Sequence, residues 1–193
     1  MHKLLRIIIL CFTALLLASC CKEQVVSPRE YCDLLLKAKD FLAFCCFVLD
    51  SPKPYYGQII SRLYYVYFTL ARLIVINKTE YDYYGHEMVW KKIEDKKIEY
   101  VYGKELKKKR CKYDYDSIKI DNIKEQLNDI IFIVDNKCLF DNQIKMIKNT
   151  LHDNPNLTEE SDEKCIMLLE DMGVIHQTLI SKLTDCIRFY AKK

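Results

Sequence analysis

The chain has 193 residues, half of them hydrophobic, which is enough for one well-formed core and short for two. Four Gly and four Pro supply too little turn chemistry for a many-stranded sheet and suit long helices joined by few loops, so the expected fold is all-α. Thirty basic against 27 acidic residues leave a formal net charge of +3, so average charge gives no reason to expect a polyanionic partner and only local clustering can supply one.

Residues 1–21 have the grammar of a signal peptide. A basic start (His2, Lys3, Arg6) overlaps an apolar run from Leu4 to Leu17, interrupted by Arg6 and Thr13, and Ala18, Ser19 and Cys20 follow. About a dozen apolar residues are short for a hydrocarbon core of ~30 Å, so cleavage is preferred to a transmembrane helix. The tetrad Leu17-Ala18-Ser19-Cys20 resembles a bacterial lipobox, which implies lipidation of Cys20 and a membrane-anchored protein. Translation from near Ser27 is the alternative and implies a cytoplasmic one.

Ser27-Pro28-Arg29-Glu30 is a helix start, with Ser27 as N-cap, proline at the first helical position and Glu30 completing a capping box. Apolar residues at three- and four-residue steps from Tyr31 carry this helix to Leu49, before Pro52 and Pro54. A second helix, Tyr55 to Ile76, is apolar on several sides and must be nearly central; Arg62 and Arg72 on it need a partner or the surface. Asn77 is its expected C-cap, and 77–85 reads as a polar loop. Helical pieces follow at His86 to Ile98 and Tyr102 to about Cys111. A stripe of Ile123, Leu127, Ile130, Ile131 and Val134 comes next, with Asp121 as its candidate cap. After the break at Asn154-Pro155-Asn156, Thr158-Glu159-Glu160 opens an amphipathic helix whose apolar stripe runs from Cys165 to Tyr190, with Gly173 as a candidate kink. The expected organisation is a signal segment (1–21), a helical bundle (28–140) and a C-terminal helical extension (141–193).

The ten cysteines show no paired two-residue spacing, which argues against a zinc ribbon or finger. Cys32, Cys45 and Cys46 fall on apolar helical stretches and read as small buried hydrophobes, with disulfides or metal as alternatives. His152 and His176 have no metal-ligand spacing, and no cofactor or metal is expected.

Tyr31 to Leu49, the run Ser61-Arg62-Leu63-Tyr64-Tyr65 with Phe68, Ala71 and Arg72, then Gly85-His86-Glu87 with Val89, and Arg110-Cys111-Lys112-Tyr113-Asp114-Tyr115-Asp116 together resemble a HEPN domain over roughly 28–139. The resemblance implies an up-and-down helical bundle that often dimerises. It also implies a function among ribonucleases, toxins paired with nucleotidyltransferase antitoxins, or noncatalytic nucleic-acid binders. Active members carry Arg, four to six residues, then His. The corresponding positions after Arg110 hold Tyr115, Asp116 and Ser117, which removes the usual base; His86 is the candidate replacement if the fold brings it near Arg110, with a helix-start or core histidine as the preferred alternative.

Arg110 is the candidate phosphate fork, oriented by Asp114 with Tyr115 as hydrogen-bond donor; the alternative is a structural ion pair between Arg110 and Asp114, four apart on one helix. Lys104, Lys107, Lys108, Lys109 and Lys112 form the one local basic cluster. They read either as an electrostatic track for RNA, with Trp90 and Tyr102 as stacking faces, or as a solvated helix face diluted by Glu94, Asp95, Glu99 and Glu105. The leading expectation is a dimeric HEPN-like domain that binds or processes RNA; the alternative is a lipid-anchored envelope protein that uses the bundle for protein contacts.

Overall fold

A computed structural model describes residues 24–83, 85–115 and 123–192, without the side chain of Tyr115. The signal-like segment with Cys20, and the candidate cap Asp121, lie outside the described residues.

The described chain is an all-α bundle of seven helices with one two-stranded ribbon. Strand β1 (Gln24–Val25) leads into α1 (Pro28–Leu49). The start of α1 is fixed by the expected box: Glu30 N–H donates to Ser27 Oγ at 3.3 Å while Ser27 N–H donates to Glu30 Oε2 at 2.9 Å. Helix α2 (Tyr56–Thr79) is buried along most of its length, as its all-round apolar sequence demands. By length and composition it would also cross a membrane, but here its apolar side chains fill the bundle interior.

The loop expected at 77–85 begins later than Asn77. Helix α2 continues past Asn77 and stops at Glu80, which adopts a left-handed φ of 64°. Asn77 is not the cap because its side chain is used inside: Nδ2 donates to Thr150 Oγ1 at 3.1 Å and Oδ1 accepts from Asn154 Nδ2 at 3.3 Å. Strand β2 (Tyr81–Asp82) then pairs antiparallel with β1, and Arg72 forms a two-pronged ion pair with Asp82. This supplies the partner that a charge on a central helix requires. Arg62 instead lays its guanidinium over Phe41 and Phe44, 5.4 and 5.9 Å from the ring centroids.

Helices α3 (His86–Lys92) and α4 (Ile98–Tyr115) follow, then α5 (Ile123–Asp135) and α6 (Cys138–Thr150). The sequence reading missed α6, whose apolar stripe of Leu139, Phe140 and Ile147 is interrupted by Gln143, itself fully buried. A turn at Leu151–Asp153 leads to α7 (Glu159–Ala191), capped by Thr158 and uninterrupted at Gly173.

Side-chain contacts give the directions. Cys45 lies on Ile59 and Phe41 on Tyr65, so α1 and α2 are antiparallel. Ser61 meets Asp114 and Tyr67 meets Tyr102, so α2 and α4 are antiparallel too. Lys112 reaches Glu125 while Tyr102 stacks on Phe132, so α5 turns back along α4. Tyr67 touches Phe140 and Asn77 touches Thr150, so α6 continues in the direction of α5, parallel to α2. Helix α7 returns beside α1. The chain is thus an up-and-down bundle in which α5 and α6 form one broken descending leg. Residue 140, the expected end of the bundle, falls within α6, and α7 contributes Cys165, Leu169, Met172, Leu179 and Leu183 to the common core.

Candidate functional site

Three faces of α4 separate the residues singled out in the sequence. Lys104, Lys107, Lys108 and Cys111, at three- and four-residue spacing with Tyr100, face α3. Arg110 and Asp114 face α2. Lys109 and Lys112 face α5.

On the α2 side, Arg110 is buried at 7% exposure, and its Nε stands 3.0 Å from Asp114 Oδ2. Asp114 Oδ1 also accepts from Ser61 Oγ at 2.7 Å. The guanidinium carbon lies 5.3 Å from the Tyr64 ring centroid and 5.1 Å from that of Tyr65. The geometry shows the Arg110–Asp114 contact that both sequence readings of this pair require, seated on aromatic faces. Beside the pair, Tyr55, Gly57, Gln58, Ser61, Arg62 and Tyr113 line a small polar hollow.

His86, at the start of α3, comes to the same aromatic group from the other side. Its Nδ1 is 2.6 Å from the Tyr64 hydroxyl, and its ring lies tilted against Phe68 with centroids 4.1 Å apart. Burial, then the charges of Lys107, Arg110 and Arg72, push the His86 pKa down, so the ring is neutral at pH 7. Burial also pushes the Tyr64 pKa up and keeps its proton in place. The contact with Tyr64 occupies Nδ1 and leaves Nε2 as the other ring nitrogen of His86.

On the α5 side, Asp129 gathers the basic residues. Its carboxylate accepts from Lys109 Nζ at 2.7 Å, Lys112 Nζ at 3.1 Å and the Tyr113 hydroxyl at 2.6 Å. Lys112 Nζ also stands 2.5 Å from Glu125, and Lys109 Nζ lies 4.8 Å from the Phe132 ring centroid. Burial works against the Asp129 charge, but the hydrogen bonds from Lys109, Tyr113 and Lys112 outweigh it and hold the pKa below the usual carboxylate value. Lys109 and Lys112 therefore hold α5 to α4, and their charge is offset locally.

The remaining lysines border a cleft of about 230 Å³ between α3 and α4, together with Glu87, Trp90, Tyr100 and Cys111. Lys104 and Lys108 are exposed and Lys107 is half-buried. Among the described residues none of the three makes an ion pair within 4 Å, whereas Glu87 is engaged by Lys91 at 3.2 Å. Trp90 and Tyr102 do not serve as open stacking faces. Trp90 is 1% exposed, pressed onto the backbone of α4 at Gly103, and Tyr102 packs between Tyr67 and Phe132. Half-buried Tyr100 is the aromatic that borders the cleft, with Lys104 Nζ 5.7 Å from its ring centroid. Sequence reasoning did not single out Tyr100 or Asp129, and it named Tyr64 only within the run that carries the HEPN resemblance. The 3.6-residue period of α4 carried the signal for Tyr100, since it shares a face with Lys104, Lys107, Lys108 and Cys111. Asp129 depended on a contact between helices that no local pattern shows.

No group of three His, Cys, Asp or Glu side chains suited to a metal ion occurs among the described residues. Comparison of the chain with protein-family models, with curated proteins and with solved structures finds no match. The molecule is an all-α helical bundle with a lysine-bordered cleft on one side.

Proposed function

We propose that this bundle binds single-stranded RNA along the α3–α4 cleft. The observation that carries the reading is the segregation of charge on α4. Lys109 and Lys112 are neutralised by α5, while Lys104, Lys107 and Lys108 present unpaired charge beside Tyr100. Lysines neutralise backbone phosphates, and an aromatic edge tolerates any base, so the arrangement suits recognition with little sequence preference. The HEPN resemblance agrees with this reading, and a homodimer and a nucleotidyltransferase antitoxin as partner are part of the same proposal. Binding is favoured over cleavage because Arg110 is buried in an ion pair and His86 is held by Tyr64.

The test is fluorescence anisotropy with a labelled single-stranded RNA over a salt series. Affinity is expected to fall as salt rises, and replacing Lys104, Lys107 and Lys108 by Gln to lower the slope by about 0.7 for each phosphate that is no longer neutralised. The same replacements at Lys109 and Lys112 are expected to reduce stability more than the slope. Equal affinity and slope for the parent and the Lys104/Lys107/Lys108 variant would refute the site. If RNA cleavage is found, its persistence in Arg110→Ala removes Arg110, Asp114 and Tyr115 from any chemistry.

A second reading, a protein-contact module tethered through Cys20, is favoured by the exposed apolar side chains on α1: Leu36, Phe44 and Phe47, the last 75% exposed. Intact mass of the protein from its host's membrane fraction decides it, since diacylation at Cys20 places the domain outside the cytoplasm.

A further inference from the structure

Helices α1 and α7 run parallel with a nearly constant register. Cys32 meets Cys165, Lys39 meets Asp171, Cys46 Sγ points to the Ile175 carbonyl at 3.8 Å, and Asp50 meets Lys182. The two exposed ion pairs share the register of the sulfur contact, which lies in the buried part of the same interface. Cys32 Sγ and Cys165 Sγ are 3.3 Å apart across 133 residues of sequence. A disulfide needs about 2.05 Å between sulfurs, so closing the bond asks for a movement of little more than 1 Å. Among the described cysteines no other pair of sulfurs is in contact. Cys45 is directed at the Ile59 carbonyl and Cys46 at α7 backbone.

We propose that Cys32 and Cys165 are a disulfide-forming pair which, on meeting a disulfide oxidant such as oxidised glutathione, covalently ties the first helix to the last. The Cys32 thiolate, on the slightly exposed member of the pair, attacks one sulfur of the oxidant, forms a mixed disulfide and releases the other half as a thiol. The Cys165 sulfur then attacks Cys32 Sγ and expels the second half. The protein loses two electrons and two protons, and the oxidant, gaining them, leaves as two thiols. Cys165 is fully buried, and burial raises its pKa, so the second step is slow in the closed bundle and proceeds when α7 opens. Such a bond persists in an oxidising compartment and stays reduced in a cytoplasm, so its state also reports where the domain resides.

The experiment incubates the full chain with oxidised glutathione in urea below its unfolding midpoint, which lets α7 open. Free thiols are then alkylated, and peptides are mapped under non-reducing conditions. The expected product joins the peptides containing Cys32 and Cys165 and is lighter than the reduced pair by two hydrogens. Its unfolding midpoint should rise by on the order of 5–10 °C, and the rise should vanish in Cys32→Ala and in Cys165→Ser. Circular dichroism of the variants confirms that the comparison is made on helical protein. Full alkylation of both residues after this treatment, linkage of Cys32 to a third cysteine, or a cross-link that leaves the midpoint unchanged would each overturn the proposal.

Discussion

Alanine in place of glycine inside a helix normally stabilises it by about 1 kcal/mol. This molecule offers the same substitution in two helices with opposite expected signs. At Gly103 an added Cβ would stand 2.2 Å from Trp90 Cδ2, 2.3 Å from Cε2 and 2.7 Å from Cε3. These are atoms of a rigid ring that is 1% exposed and packed near Phe68, so it cannot swing into open space. Overpacking of this kind costs about 1–3 kcal/mol, and with three ring atoms in collision the upper end applies. Against the propensity gain of about 1 kcal/mol, Gly103→Ala should lose roughly 2 kcal/mol. At Gly173 nothing lies within 4 Å of the added carbon, so Gly173→Ala should gain the full propensity term. The two variants should therefore differ by about 3 kcal/mol. Urea unfolding followed by circular dichroism measures both. The chain has one tryptophan, so the emission of Trp90 should also shift in Gly103→Ala and not in Gly173→Ala. A Gly103→Ala protein as stable as the parent, with unchanged emission, would refute the packing described for α3 on α4.

Asp129→Ala should cost about 2 kcal/mol, because it removes the buried carboxylate shared by Lys109, Lys112 and the Tyr113 hydroxyl, which leaves the lysines with Glu105 and Glu125 and the hydroxyl without this acceptor. Since the folded pKa of Asp129 lies below its unfolded value, its contribution is present above the unfolded value and disappears as pH falls through the folded one; Asp129→Asn should flatten that part of the acid-unfolding curve. Glu99 is 2% exposed, accepts from Gln143 Nε2 at 2.9 Å, and is pushed up to about 7 by burial. A carboxyl with a raised pKa holds its proton longer in the folded state, so it lowers stability progressively as pH rises from its unfolded value to about 7. Glu99→Gln should remove this loss, on the order of 3 kcal/mol at pH 7 and above, as read from urea midpoints over a pH series. Glu80→Gly should add about 0.5–1 kcal/mol by relieving the left-handed backbone at the end of α2, and an unchanged thermal midpoint would contradict that geometry.

The fold was legible where local chemistry specified it. The capping box at Ser27 and Glu30 and the prolines after Leu49 set both ends of α1, and Thr158 set the start of α7. The all-round apolar character of α2 announced its central place. Helix α6 was missed because Gln143, in the middle of its stripe, is polar and nevertheless buried, with its amide donating to Glu99. Asn77 deceived for a related reason, since a common capping residue serves here as an internal link to α6 and the turn beyond it. In the candidate site, sequence spacing put Arg110 beside Asp114 and marked the lysine cluster. What it did not provide was the division of that cluster, because Asp129 and Glu125, which neutralise Lys109 and Lys112, lie on a different helix and reach them only through the turn-back of α5.

The pairing of α1 with α7 sets a clock for synthesis. Leu49 and Glu159 are about 110 residues apart, so at roughly 5–20 residues per second the first helix waits on the order of 5–20 s for its last neighbour. During that interval α2 can cover one side of α1, while the side that carries Cys32, Lys39 and Cys46 has no native partner. Ribosome-bound chains stalled before residue 159 should therefore be cut by protease within α1, and the full chain after release should resist. For that period the nascent chain remains loose enough to be threaded through a translocation channel or held by a chaperone, and completion of the C-terminal helix closes that opportunity.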